Sequence, residues 1–321
     1  MKKLSIPAAS VKGFNYHPGY SSSSYDDWML FDEEVWRKEL SHGKKCFPSF
    51  NTVRIWLSWN AYCRMGEQFI ASLKKVIDIC RELSIYVIPS VFNRWHDPVI
   101  DCDGIYIDHF LPNSSWLHKN GDPFEKYIDD LAKNFKDEKQ ILVWDVCNEP
   151  LAYNAHDETF PCHEIILQYE LAWLHRMADR LRADGVTQPL GIGSTGRQPM
   201  EIFGDACDVY LTHLYYKTDL ESFEQRVRSF VDEAKQNGKE LIVSECCWGS
   251  FDDRRRGELI RGTLSTLTKY GVGFIAHALW SCGCTDLHDP DDGPLSPDIG
   301  NLAFICPDGS IRPYHEIFNE F

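Results

Sequence analysis

The chain has 321 residues, 43% of them hydrophobic and 25% charged, and this composition excludes a disordered, coiled-coil or collagen-like protein. Lys and Arg number 33 against 48 Asp and Glu, and the net charge of -15 argues against nucleic acid and anionic membrane surfaces as partners. No apolar run approaches the ~18 residues of a membrane-spanning helix, and the start of the chain has no apolar segment of signal-peptide length.

Eight short β-branched or aliphatic runs recur along the chain, and each predicts a strand. They cover residues 11–16, 51–57, 85–91, 141–146, 189–193, 207–212, 240–244 and 273–280. Between them, apolar side chains recur at helical spacing and predict amphipathic helices. Four such faces are Phe69, Leu73, Val76, Ile77, Cys80 and Leu83; Ile166, Tyr169, Trp173, Met177 and Leu181; Phe223, Val227, Phe230, Val231 and Ala234; and Leu259, Ile260, Leu264 and Leu267.

Apolar strands that alternate with helices are typical of a parallel sheet covered by helices, and eight repeats is the number that closes a (β/α)8 TIM barrel. An open doubly wound sheet is the alternative. No Ser-, Gly- or Pro-rich linker divides the chain, so we expect one α/β domain over residues 1–321. The weakest repeat lies at 194–206, where only a helix of barely two turns fits.

Two long connections, 92–124 and 281–301, follow the third and eighth strands and are rich in turn residues. In a TIM barrel both stand at the C-terminal face, where active sites lie. Aromatic residues in the first connection could wall the mouth into a pocket, or could simply pack the connection onto the barrel; they are Trp95, Tyr106, Phe110, Trp116 and Phe124. Trp116 is therefore a candidate substrate contact.

Two carboxylates stand where barrel strands end. In WDVCNEP, residues 144–150, Asn148 and Glu149 follow the fourth strand, and in LIVSECCWG, residues 241–249, Glu245 ends the seventh. A closed barrel brings both ends to one mouth. Two facing carboxylates, one protonated and one ionised, are the arrangement that glycoside hydrolysis requires.

At these residues the sequence resembles the clan A retaining glycosidases, with cellulase-like glycoside hydrolase family 5 as the nearest match. The similarity is carried by Asn-Glu-Pro at the end of strand four and the second Glu at the end of strand seven. It implies that Glu149 is the acid/base and Glu245 the nucleophile of a double displacement, with carboxyl groups about 5 Å apart.

Further positions resemble the clan in chain order. Arg54 corresponds to its arginine beside the nucleophile, His213 and Tyr215 to its His-x-Tyr after strand six, and Trp280 to its sugar-platform tryptophan in strand eight. Asn148 would donate to the sugar 2-hydroxyl. The alternatives stay open that Arg54 pairs with a structural acid and that His213 and Trp280 belong to the core.

One position departs from the family pattern. Many family 5 members carry a histidine at the top of strand three, and here SVFNRWHDP offers either Asn93 or His96. The sugar is left open between gluco- and manno-configured β-linked units.

Other motifs predict no cofactor and no metal. GIGSTG at 191–196 lies within a predicted strand instead of after one, so it does not fit a dinucleotide loop. DPDDGP at 289–294 lacks the ligand register of a calcium loop. The 12 cysteines, including the pairs Cys246-Cys247 and Cys282-x-Cys284, lack metal-ligand or disulfide spacing and indicate reduced, mostly buried thiols of a cytoplasmic protein.

These observations predict a retaining β-glycosidase that acts on short β-linked oligosaccharides inside the cell. Two alternatives are a carbohydrate-binding barrel that has lost hydrolysis and, on fold alone, a lyase or aldolase barrel. The oligosaccharide is the expected partner, and the oligomeric state is left open.

Overall fold

The computed structural model describes residues 1–94, 122–151, 163–286 and 301–321. Within these ranges lie eight strands that match the eight predicted runs in order. They are β1 (Lys12–Asn15), β2 (Thr52–Trp56), β3 (Tyr86–Asn93), β4 (Trp144–Asn148), β5 (Leu190–Thr195), β6 (Val209–His213), β7 (Glu240–Cys246) and β8 (Gly273–Ala276).

The strands pair in parallel, in chain order, and close into a barrel. Closure is made by β1 and β8, where Lys12 lies opposite Phe274 and Phe14 opposite Ala276. The predicted (β/α)8 TIM barrel is confirmed, and the alternative of an open doubly wound sheet is wrong. All eight carboxyl ends therefore meet at one face.

Helices cover the outside of the barrel. The four predicted helical faces lie in the helices over residues 67–82, 163–183, 220–236 and 253–269, with Leu83 one residue beyond the first of them. The helices are α1 (Ser24–Met29), α2 (Glu33–Cys46), α3 (Trp59–Met65), α4 (Glu67–Glu82), α5 (Pro123–Phe135), α6 (His163–Ala183), α7 (Gln198–Glu201), α8 (Leu220–Gln236), α9 (Asp253–Lys269) and α10 (Gly283–Asp286). Only the four-residue α7 lies in the repeat predicted to be weakest.

Aspartate side chains start several of these helices. Asp32, Asp219 and Asp252 each accept hydrogen bonds from the backbone N–H groups two and three residues further on, and Asp122 accepts one from Phe124. Such caps satisfy backbone donors that have no partner inside the helix. These four helices therefore begin at defined residues.

All eight strands end one to four residues from their predicted ends, and three of the differences concern β4, β7 and β8. β4 runs over 144–148 instead of 141–146, because Ile141 makes only an isolated bridge to Val87. β7 continues to Cys246, so Glu245 lies within it. β8 ends at Ala276, because the backbone then leaves the ladder and Ala278 donates to the carbonyl of Leu302. Trp280 therefore lies four residues beyond β8.

The apolar core has two parts. The larger cluster packs the outward strand residues against the helices, and the smaller cluster consists of residues within the strands or just before them that face the barrel interior. The smaller cluster contains Val11, Ile88, Leu142, Val143, Val209, Leu211, Ile242 and Ile275. It fills the interior below the polar side chains at the carboxyl ends. Among the described residues, no helix is long and apolar enough to cross a membrane.

Candidate active site

Glu149 and Glu245 come together at the carboxyl face. One oxygen of each carboxylate and one ring nitrogen of His213 all lie within 4.8 Å of one another. The side chain of Glu149 is 15% exposed and that of Glu245 is 9% exposed, so both are largely buried but each keeps a small surface that a substrate can reach. The predicted pairing of these two glutamates across the barrel is thus present in the geometry.

Shifts of strand register in β4 and β7 change which side chains face the barrel interior. In β4 the pairing with β5 shifts between Asp145 and Asn148, and in β7 the pairing with β8 shifts between Val243 and Cys246. A strand alternates its side chains between two faces, and an extra residue reverses that alternation beyond it. Asp145 and Asn148, three positions apart, consequently both point at Arg54.

Arg54 is the centre of the polar network and is fully buried. Its guanidinium donates to Asp145 Oδ2 at 2.7 and 2.9 Å, to Asn148 Oδ1 at 2.7 Å and to Glu245 Oε1 at 2.7 Å. It also reaches Asn15 Oδ1 at 3.1 Å. Both interpretations of Arg54 therefore apply. It pairs with a structural acid, Asp145, and it also pairs with the candidate nucleophile, Glu245.

The surroundings of Glu245 favour its ionised form. Burial by itself raises the pKa of Glu245, but electrostatic interactions with His213, Arg54 and His277 and the hydrogen bond from Tyr215 outweigh it and hold the pKa well below its usual range. The Tyr215 hydroxyl donates to Oε2 at 2.8 Å. Burial, followed by the negative charge of Glu245, raises the pKa of Tyr215 well above its usual value, so the phenol stays a donor.

His213, the last residue of β6, joins the two glutamates. Its Nδ1 lies 2.6 Å from Glu149 Oε1 and 3.4 Å from Glu245 Oε2. Its buried Nε2 has no hydrogen-bond partner among the described residues. The histidine is therefore a bridge between the two carboxylates, which the alternative of a core histidine does not capture.

Gly193 makes room for this network from β5. A Cβ atom at this position would lie 2.9 Å from both Arg54 Nη2 and Asp145 Oδ2, and 3.1 Å from His213 Nε2. The Gly193 backbone also donates to Asp145 Oδ1 at 2.7 Å, and its carbonyl accepts from the N–H of Glu149. Gly193 is one of the glycines of GIGSTG, so that motif serves close packing in the barrel interior.

Asn93 is the strand-three residue that reaches the site. It ends β3 and is 5% exposed, and its Oδ1 accepts a hydrogen bond of 2.8 Å from Asn148 Nδ2. The Asn148 amide is thus oriented from both sides, because its oxygen accepts from Arg54. The other strand-three candidate, His96, and the candidate contact Trp116 lie outside the described residues.

Trp280 and His277 both follow β8. The Trp280 ring is 7% exposed and stands edge-on to His42 at 5.7 Å, with Gly19 so close that a Cβ there would lie 2.9 Å from Trp280 Nε1. His277 stands edge-on to Trp56 at 6.0 Å and acts electrostatically on Glu245. His277 was not predicted as a site residue, because it lies inside the apolar run that predicts strand eight.

The same three residues, Glu149, His213 and Glu245, form the one group in the described ranges whose atoms could hold a metal ion. Their contacts are those of a hydrogen-bonded acid–base pair, with His213 between the glutamates. Two carboxylates and one imidazole also suit a divalent cation, which would block both glutamates at once.

The sequence profile of cellulase (glycosyl hydrolase family 5) matches residues 38–283, which span all the site residues except Asn15. The chain belongs to this family. The resemblance drawn from Asn-Glu-Pro and Glu245 is thereby confirmed, and the protein is a member of a glycoside hydrolase family. The chain matches none of the curated proteins.

Solved structures share the fold of this family 5 member at low sequence identity. An exo-β-1,4-mannosidase from Opitutaceae bacterium strain TAV5 is 17% identical with a TM-score of 0.73, and the match covers 97% of this chain and 58% of that chain. An endo-β-1,4-mannanase from Thermotoga petrophila is 16% identical with a TM-score of 0.63, covering 96% and 77%. A broad-specificity endoglucanase from Clostridium acetobutylicum is 14% identical with a TM-score of 0.64, covering 99% of both chains.

The family 5 chain is shorter than several proteins with which it shares the barrel. It spans 58% of the length of the mannosidase and 34% of a β-glucuronidase from Bacteroides uniformis. The common part is the barrel fold.

Proposed function

We propose that this family 5 chain is a retaining β-glycoside hydrolase in which Glu245 is the nucleophile and Glu149 the acid/base. The observation that carries the proposal is the short separation of the two carboxylates, because one oxygen of Glu149 lies within 4.8 Å of one oxygen of Glu245. Retaining enzymes hold their carboxyl groups about 5–5.5 Å apart, whereas inverting enzymes leave about 6.5–9.5 Å for a water molecule. The separation favours attack by a carboxylate over attack by water.

In the first step an ionised Glu245 oxygen attacks the anomeric carbon while Glu149 gives its proton to the glycosidic oxygen. The bond from the anomeric carbon to that oxygen breaks, and the aglycone leaves as an alcohol. Arg54 and Tyr215, which bind different oxygens of Glu245, keep the nucleophile ionised and in line. The product is a glycosyl ester on Glu245.

In the second step Glu149, now ionised, takes a proton from a water molecule that attacks the same anomeric carbon. The ester bond breaks, Glu245 leaves as a carboxylate, and two inversions give net retention. His213 lies within hydrogen-bond distance of Glu149 Oε1 and close to Glu245, so it orients the acid/base throughout.

We propose that the substrate is a short β-linked oligosaccharide of gluco- or manno-configured units. Asn148 uses its oxygen for Arg54 and one amide proton for Asn93, which leaves a second proton for the hydroxyl group next to the anomeric carbon. That hydrogen bond strengthens in an oxocarbenium-like transition state. The mannosidase and the endoglucanase with the same fold support this choice of sugars.

The test is the stereochemistry of a single turnover. Hydrolysis of an aryl β-glycoside, followed by proton NMR, is expected to release the β-anomer first, and the α-anomer only by later mutarotation. First appearance of the α-anomer contradicts the double displacement. Absence of hydrolysis across aryl β-glucosides, mannosides, galactosides and xylosides would instead favour the carbohydrate-binding alternative.

A further inference from the structure

The turn that carries Glu149 has an uncommon backbone. Glu149 has a φ of 43° and Leu151 a φ of 61°, with Pro150 between them. Residues with a Cβ rarely adopt these values, and they persist only where the surrounding structure fixes them. Some part of the fold must therefore hold this turn.

A buried ion pair between Arg94 and Glu170 contacts the turn that carries Glu149. Arg94, the residue after β3, donates from Nε to Glu170 Oε1 at 2.7 Å and from Nη2 to Oε2 at 3.3 Å. Glu170 lies in α6 and is fully buried, and the Arg94 side chain is 4% exposed. Burying two charges costs much solvation, so such a pair contributes little to stability by itself.

Arg94 and Glu170 contact the turn on both sides of Glu149, Arg94 through its backbone and Glu170 through its side chain. The backbone N–H of Arg94 donates to the carbonyl of Asn148 at 2.9 Å, and the N–H of Leu151 donates to Glu170 Oε1 at 2.9 Å. The Leu151 side chain is fully buried. Arg94, Glu170 and the turn over residues 148–151 thus form a closed ring of contacts. The Arg94 backbone binds Asn148, the Arg94 side chain binds Glu170, and Glu170 binds the backbone of Leu151.

We propose that Arg94 and Glu170 are positioning residues that hold the Glu149 carboxyl group where it protonates the leaving oxygen. This inference rests on the proposed function, because it assumes that Glu149 is the acid/base. The Glu170 carboxylate accepts from the backbone of Leu151 and the Arg94 side chain holds that carboxylate, so the pair acts through the turn. Losing it should let the turn relax and move the carboxyl group away from the glycosidic oxygen.

The decisive variant is Arg94→Leu combined with Glu170→Met. It removes both charges of the pair together, so neither is left buried without the other, and it also removes the acceptor for the N–H of Leu151. Glu170→Gln is the companion variant, since it keeps the shape of the side chain. Asp129→Asn is the control, because it breaks another ion pair of α6, the 2.7 Å contact of Asp129 with Arg180, far from the turn.

The measurement is kcat/KM on two aryl glycosides of the same sugar, one with a good leaving group and one with a poor one, beside the melting temperature. A good leaving group needs little protonation, so misplacing the acid hurts the poor one selectively. We expect the double variant to lose about 10-fold or more on the poor leaving group relative to the good one. Asp129→Asn should keep the wild-type ratio.

The result that overturns the proposal is a folded double variant with the wild-type ratio between the two substrates. Equal losses on both substrates that follow the melting temperature also overturn it, because they show a purely structural pair. Glu149→Gln run in parallel separates this failure from that of the proposed function. If Glu149→Gln itself shows no selective loss on the poor leaving group, the assignment of Glu149 as the acid is wrong, whatever the result for the Arg94 and Glu170 variants.

Discussion

Replacing Tyr215 with phenylalanine removes one hydrogen bond from the candidate nucleophile and little else. The hydroxyl donates to Glu245 Oε2 at 2.8 Å and belongs to the interactions that depress the pKa of Glu245. A hydrogen bond to a charged group contributes about 1.5–3 kcal/mol, and one pH unit corresponds to 1.36 kcal/mol. We therefore expect Tyr215→Phe to raise the pKa of Glu245 by roughly one to two pH units.

The sign of the effect follows from the state that reacts. Glu245 attacks only when ionised, so a higher pKa moves the acidic limb of kcat/KM to higher pH. The oxygen also loses its orientation, which lowers kcat/KM at neutral pH by about 10- to 100-fold. Because the folded-state pKa of Glu245 is depressed, its contribution to stability is present above about pH 4.3 and is lost as the pH falls through the folded-state value. The stability difference between the two proteins should shrink in the same direction.

The assay is kcat/KM for an activated aryl β-glycoside between pH 2 and pH 8, which extends to low pH because the pKa of Glu245 lies well below its usual range. Tyr16→Phe is a matched control, because Tyr16 is fully buried and donates to Glu39 Oε2 over the same 2.8 Å. It should leave the acidic limb where it is. An acidic limb that does not move in Tyr215→Phe, or that moves equally in both variants, refutes the account of how Glu245 is kept ionised.

Four further outcomes are expected. Glu245→Ala should abolish hydrolysis, and azide should restore turnover with an inverted glycosyl azide; a retained azide product would mean that the two glutamates are assigned backwards. Glu149→Gln should slow poor leaving groups ~100-fold or more while sparing activated glycosides in the first step, and equal losses would count against it as the acid. Gly193→Ala should place a Cβ 2.9 Å from Arg54 and Asp145, costing about 1–3 kcal/mol of unfolding free energy in calorimetry together with activity; unchanged values would show that the network adapts. On chains of two to six sugars, terminal units should be released with little dependence on length, and steeply rising rates with internal products would show an endo-acting enzyme.

Apolar periodicity did not predict helix α2, because its buried face contains a charged residue and a glycine. The strands and four helices follow directly from apolar patterns, whereas α2 buries Trp36, Glu39, Leu40 and Gly43. A buried glutamate that accepts from the Tyr16 hydroxyl and a glycine packed on Leu279 are invisible to a hydrophobic pattern. Such positions depend on partners that are distant in the chain.

The site shows a similar division. The motifs predicted Glu149, Glu245, Asn148, His213 and Tyr215 at or just beyond strand ends and Arg54 within strand two. The structure brings these six residues together. Asp145 was not predicted, because it occupies a strand interior and only the shift of register beside it makes both it and Asn148 contacts of Arg54. Trp280 was placed in strand eight, but the strand ends at Ala276.

Trapping the covalent intermediate tests the central claim most directly. A 2-deoxy-2-fluoro β-glycoside with a good leaving group slows both steps through its electron-poor ring, and the activated leaving group lets the first step outrun the second. Proteolysis and mass spectrometry should then find one sugar residue per chain, esterified to Glu245 in the peptide around LIVSECCWG. A label on Glu149, or turnover of the matching hydroxyl substrate with no label on any carboxylate, would contradict the double displacement through Glu245.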